Sequence, residues 1–132
     1  MAEQIKDRKL RMLLVDSTPF REELEEILKA LNEKIKITTA NNTSEAVMKL
    51  GCYSFDILLC HIRDDDERVA KFAKTRDDNI LTICYSSGRV TDYIEWPSSV
   101  KLYYDEISEF SSLSIYTPDE KITNLLEHRG LI

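Results

Sequence analysis

Four places in this chain end an apolar run with groups able to do chemistry: Asp16-Ser17, Cys60-His61, Ser86-Ser87 and Asp105-Glu106. Carboxylates, a thiol, an imidazole and hydroxyls are the usual nucleophiles, bases and metal ligands. Cys60 is the most pointed of them. It closes "FDILLC" and is followed by His61 and then by Asp64, Asp65, Asp66 and Glu67. A nucleophilic or redox-sensing thiol needs a cation or a helix N-terminus to lower its pKa. The neighbours here are acids, which act the other way. On a strand, His61 points to the opposite face from Cys60 and is a poor partner for it. A small buried thiol filling space is the simpler role.

The remaining groups have similarly plain alternatives. The acid run could attract a cation, but successive residues opening a helix point in different directions. Acids in a first turn are also favoured by the helix dipole. No metal is therefore expected. Ser86-Ser87-Gly88 could cradle an anion, yet it lacks the glycines and lysine of a phosphate loop and reads as a turn. Cys52, Cys60 and Cys84 form no CxxC, so neither a zinc knuckle nor a thioredoxin-type pair is present. A Cys60–Cys84 disulfide is not expected, and a reducing cytoplasm suits three free thiols.

The elements that must position these groups are legible. "RMLLVD" and "NILTICYSSG" are apolar without alternation, as in strands buried on both faces. "KIKITTA" alternates and is β-branched, and Phe55 to Cys60 makes a third strand. "VKLYY", residues 100–104, reads as a fifth. Between them run helical patterns. Phe20, Leu24, Ile27, Leu28 and Leu31 recur at helical spacing after Pro19. Asn42 with Glu45 resembles a capping box, and Gly51 a stop. Val69, Phe72 and Ala73 line a polar helix. Thr117, Pro118 and Glu120 open the last helix, and Gly130 ends it. Arg89 to Ser99 gives only one or two helical turns before Pro97.

One domain over residues 1–132 follows, with a polar leader at 1–10 and a core at 11–130. Strands alternating with helices imply a parallel sheet with helices on both faces. Any site then belongs at the carboxyl ends of the strands. With 42% hydrophobic and 32% charged residues the chain is neither disordered nor fibrous. Its formal net charge of −6 and lack of a basic stripe argue against direct nucleic-acid binding. No apolar run approaches the ~20 residues of a membrane span, and no membrane association is expected.

In order and spacing, the chain resembles the receiver domain of two-component response regulators, a CheY-like, flavodoxin-like fold. "RMLLVDSTPFREELEEIL" is similar to the family's first strand and helix, "SFDILLCHI" to its third strand, and "ILTICYSSG" to its fourth. The resemblance implies a doubly wound (βα)5 three-layer sandwich. Its five-stranded parallel sheet has order 2-1-3-4-5, with the fourth helix here short or irregular. It also implies a Mg²⁺-dependent phosphorylation pocket, and this sequence departs from it. Asp16 is retained, but Ser17 replaces the second acid and Cys60 stands at the phospho-acceptor position. Ser86 matches the hydroxyl. Asp105 or Glu106 takes the place of the lysine, since Lys101 lies too early.

The resulting expectation is a pseudo-receiver: a non-enzymatic signalling module acting by phosphorylation-independent protein contact, without cofactor. The resemblance points to a histidine kinase or regulator as partner. It also points to a homodimer through the face of the fourth helix, fifth strand and fifth helix. Tyr93, Trp96, Tyr103 and Tyr104 are the interface residues that fit this face. The alternatives are a thiol redox sensor using Cys60 and a small-ligand sensor in the altered acidic pocket. A flavin is disfavoured, because "DSTPF" is too short and too poor in hydroxyls to hold its phosphate.

Overall fold

In a computed structural model of the chain, the residues described are 9–64, 68–86, 102–110 and 117–132. β1 (Leu10–Val15) leads into α1 (Phe20–Leu28), which tightens into a 3₁₀ turn at Lys29–Leu31. β2 (Ile35–Ala40), α2 (Thr43–Cys52) and β3 (Ile57–His61) follow. A 3₁₀ turn at Ile62–Asp64 precedes α3 (Arg68–Arg76) and β4 (Leu81–Ser86). β5 (Glu106–Glu109) and α4 (Pro118–His128) complete the described elements. All strand pairs are parallel, in the order β2-β1-β3-β4-β5, as expected from the sequence.

The sheet separates two cores because successive strand side chains alternate between its faces. On one face Met12, Leu14, Ile57, Leu59, Ile83 and Tyr85 pack with Leu24 and Leu28 of α1 and Ile122 and Leu126 of α4. On the other, Leu13, Val15, Leu58, Cys60 and Cys84 meet Ala46 and Leu50 of α2 and Val69 and Ala73 of α3. Burying each large aliphatic side chain contributes about 1.5–3 kcal/mol. The three central strands, buried on both sides, therefore carry most of the fold's stability. Asn42 caps α2 by accepting the Glu45 N–H at 2.8 Å, while the Glu45 carboxylate reaches back to the N–H of Asn41.

Several local expectations need correction. Thr117 precedes Pro118 as foreseen, but its side chain makes no capping hydrogen bond. Of "VKLYY", residues 102–104 are described and are not strand. Leu102 and Tyr103 are helical, and the strand is the more polar "EISE" that follows. Edge position explains this. Among the described residues β5 pairs only with β4 and leaves Ile107 37% exposed, so it needs little apolar pattern. Tyr104, expected at an interface, is buried at 7% exposure against the α2–α3 core, and Tyr103 packs beside it. Tyr93 and Trp96 lie outside the described residues, as do Ser87, Gly88 and the acids 65–67.

Asp105 also lies elsewhere than expected. It precedes β5, at the amino-terminal end of the sheet, and its Oδ2 accepts from Thr82 N, Thr82 Oγ1 and Lys74 Nζ at 3.0, 3.2 and 2.8 Å. Lys74 also donates to Ile80 O at 2.7 Å, so one carboxylate latches α3, β4 and the start of β5 together. Burial raises the Asp105 pKa, but Lys74 and Thr82 outweigh it and hold the group below its ordinary value. A carboxyl depressed in the folded state stabilises above its unfolded pKa, about 3.9, and loses that contribution as pH falls through its folded pKa. Asp105→Asn is expected to cost about 1–3 kcal/mol near neutrality. The difference from wild type should shrink below about pH 4, as urea melts across pH will show.

Candidate functional site

The carboxyl ends of β1, β3 and β4 bring Asp16, His61, Tyr85 and Ser86 together, all buried. Pleat parity decides which of the two β3 residues belongs there. β3 runs one residue further than the sequence suggested, to His61, and Val15 pairs with Cys60 while His61 pairs with Tyr85. His61 consequently shares the α1–α4 face with Tyr85, their rings meeting edge to face at 5.1 Å and 86°. Cys60 points to the other face, among the apolar side chains of the α2–α3 core. It pairs with Cys84 across the sheet, both are free thiols, and the Cys60 thiol donates to the His61 carbonyl at 3.5 Å. The expected placement of Cys60 in the pocket is thus corrected, and His61 stands there in its stead.

Both oxygens of Asp16 accept hydrogen bonds. Its Oδ2 accepts the Tyr85 hydroxyl at 2.5 Å and its Oδ1 accepts the Thr18 N–H at 2.7 Å. Burial, and next the Asp16 charge, push the Tyr85 phenol far above its ordinary pKa, so it remains a donor. Its ring stacks on Phe110 at 5.0 Å and 24°, with Phe20 at 6.3 Å. The aromatic cluster fills the centre of the site. Ser17 is exposed; its backbone N–H donates to Asp64 Oδ2 at 2.8 Å. Asp64 came from the acid run and is half-buried beneath this loop.

His61 Nδ1 accepts the N–H of Arg63 at 3.1 Å, which sets the neutral ring's proton on Nε2. Burial lowers its pKa, against the opposing pull of Asp16 and Asp64. Asp16, His61 and Asp64 each offer one atom within 4.8 Å of the others, enough proximity to suggest a cation. Mg²⁺ is the ion such folds imply, and the donors do not fit it. Mg²⁺ takes a near-ideal octahedron of oxygens. Here one of three donors is a nitrogen whose lone pair already accepts an N–H. Asp16 already accepts a phenol hydroxyl on one oxygen and a backbone N–H on the other, which leaves each oxygen one lone pair to offer.

The fifth strand brings no lysine of its own. Its carboxyl end is Glu109, paired with Ser86, followed by Phe110, whose N–H donates to the Ser86 carbonyl at 2.8 Å. Neither Asp105 nor Glu106 is near: both stand at the amino-terminal side, where Glu106 pairs with Arg129 at 3.2 Å. An ammonium does reach this corner, from α4: Lys121 donates to the Glu109 carbonyl and lies 5.9 Å from the Phe110 ring centroid. Sequence reasoning missed Tyr85, Phe110 and Lys121. The signal for Tyr85 was available, since it shares side-chain parity with His61 one strand away.

No protein-family model matches the chain, and no curated protein matches it. Solved structures do. The response regulator TrrA of Thermotoga maritima, in complex with Mg²⁺ and BeF, is 21% identical over 95% of this chain and 100% of its own, with a TM-score of 0.66. The receiver domain of a sensor histidine kinase from Pseudomonas aeruginosa has a magnesium ion coordinated in its active-site cleft. It is 14% identical, covering 92% of this chain and 97% of that one, with a TM-score of 0.68. A CheY-like receiver domain from Methanospirillum hungatei is 18% identical over 93% and 98%, also at 0.68. Strand order, connectivity and these superpositions agree: the chain has the CheY-like fold of response-regulator receiver domains.

Proposed function

We propose that this chain is a signal-transduction module built on the receiver fold, with its phosphorylation pocket converted into a packed internal plug. The observation that carries this reading is the Tyr85–Asp16 hydrogen bond of 2.5 Å. The retained acid of the first strand is spent on a neighbouring phenol, and the phenol's ring fills the space between His61 and Phe110. His61 occupies the end of the third strand, where the resemblance expects the acceptor carboxylate. A neutral imidazole there supplies neither the oxygen ligand nor the acyl-forming nucleophile of the receiver reaction. Signalling then rests on protein contact, with a histidine kinase or regulator, or with a second copy of the chain. The Leu102 and Ile107 side chains, 72% and 37% exposed, offer apolar surface beside β5. A thiol sensor at Cys60 is disfavoured by complete burial among apolar neighbours.

Beryllofluoride with Mg²⁺, which mimics a phosphoryl group, tests the reading. Amide spectra recorded through a titration are expected to show no saturable shifts at Asp16, His61 or Ser86. Saturable shifts at those amides would sink it.

A further inference from the structure

The other end of the sheet holds a cleft unrelated to the phosphorylation pocket. Arg11 is the second residue of β1, five residues and so roughly 16 Å from Asp16. It lies directly across from Lys36 of edge strand β2. Both are exposed, and among the described residues neither has an acidic side chain within ion-pairing distance. Like charges opposite each other on adjacent strands repel and destabilise the pairing. Here they line one cleft of about 500 Å³ together with Thr38, Lys49, Tyr53, Ser54 and Phe55. Lys49 is committed to Glu45 at 3.0 Å and to the Thr39 carbonyl, leaving Arg11 and Lys36 as the available cations. The nearby Asp56 carboxylate accepts the Arg11 backbone N–H at 2.8 Å, not its guanidinium.

We infer that this cleft binds a small phosphate monoester carrying an aromatic ring, the chemistry of a mononucleotide. Two adjacent cations match a doubly charged anion, and guanidinium presents a fork suited to two phosphate oxygens. The volume lies within the range of small-molecule sites. Tyr53, 61% exposed at the end of α2, offers a ring face on which a planar base can stack. The Ser54 and Thr38 hydroxyls supply further polar contacts along the same wall. The −6 charge of the chain as a whole opposes an anion at long range, so any attraction comes from the local field of Arg11 and Lys36.

The test uses adenosine monophosphate and inorganic phosphate as separate probes, titrated at low salt and followed by amide NMR on the whole chain. Both are expected to shift Arg11, Lys36 and Ser54 saturably, the nucleotide binding more tightly. Arg11→Gln and Lys36→Gln should each weaken both probes about tenfold. Tyr53→Ser should weaken the nucleotide and leave phosphate unchanged. Removing one of two repelling charges should not lower the melting temperature, so loss of binding in a folded variant is readable. No saturation by millimolar nucleotide, or equal binding in the Arg11→Gln and Lys36→Gln variants, overturns the site. Equal nucleotide binding in Tyr53→Ser overturns the aromatic part of the ligand class.

Discussion

Cys60→Asp is expected to destabilise the chain by about 3–5 kcal/mol, the scale of an uncompensated buried charge, whereas His61→Asp leaves it folded and makes its stability depend on Mg²⁺. The two residues are neighbours in sequence and opposites in environment. A carboxylate at position 60 would enter the apolar core formed with Leu58, Val69 and Cys84, which among the described residues contains no cation to meet it. A carboxylate at position 61 would join Asp16 and Asp64 within the same small cluster. Three acids so close repel one another, and a divalent cation relieves the repulsion through oxygen ligands. Thermal melts of both variants with and without Mg²⁺ check this. A saturating cation at 100 times its dissociation constant would add about 2.7 kcal/mol to the His61→Asp variant. Equal Mg²⁺ responses in the two variants would refute the assignment of His61 to the pocket.

The second large effect concerns Tyr85. Tyr85→Ala should cost about 3–5 kcal/mol, because the ring is fully buried and packs against Phe20, His61 and Phe110. Tyr85→Phe keeps the packing and isolates the hydroxyl. It leaves Asp16 buried with one fewer donor, a loss of about 1–3 kcal/mol. The pH dependence separates the two roles. The folded phenol titrates far above its unfolded value of about 10, so its contribution is whole below pH ~10 and declines as pH rises beyond it. Wild type should therefore lose stability above pH ~10 more steeply than Tyr85→Phe. Denaturant midpoints across the alkaline range measure this difference directly, and parallel curves would remove the hydrogen bond's energetic role.

How much of this was legible in the sequence depended on the length of the pattern being read. β1, β3 and β4 are buried on both faces, so their unbroken apolar runs announced both the strands and the parallel sheet. The site turned on a finer matter. Strand side chains alternate with a period of two, so a one-residue error in where β3 ends exchanges Cys60 for His61 and one core for the other. The run "LLCHI" contains no marker of that boundary. β5 failed for a different reason. Its polar sequence makes strand only through pairing with β4, while the apolar "LYY" before it is used for burial of Tyr104. Misplacing that strand carried the lysine position with it, and Asp105 emerged as a latch at the far end of the sheet.

The character of β5 also bears on how copies of this chain meet. It is one margin of an open sheet, only four residues long, with Glu106 and Glu109 at its two ends. A short margin bearing two acids gives a neighbouring strand little length to zip along and repels an identical copy of itself. Sheet-to-sheet growth on this side, the route to ordered aggregates, is thereby discouraged. Association beside β5 is then left to side chains such as Leu102 and Ile107, and it closes at a dimer where that patch meets its own copy across a two-fold axis.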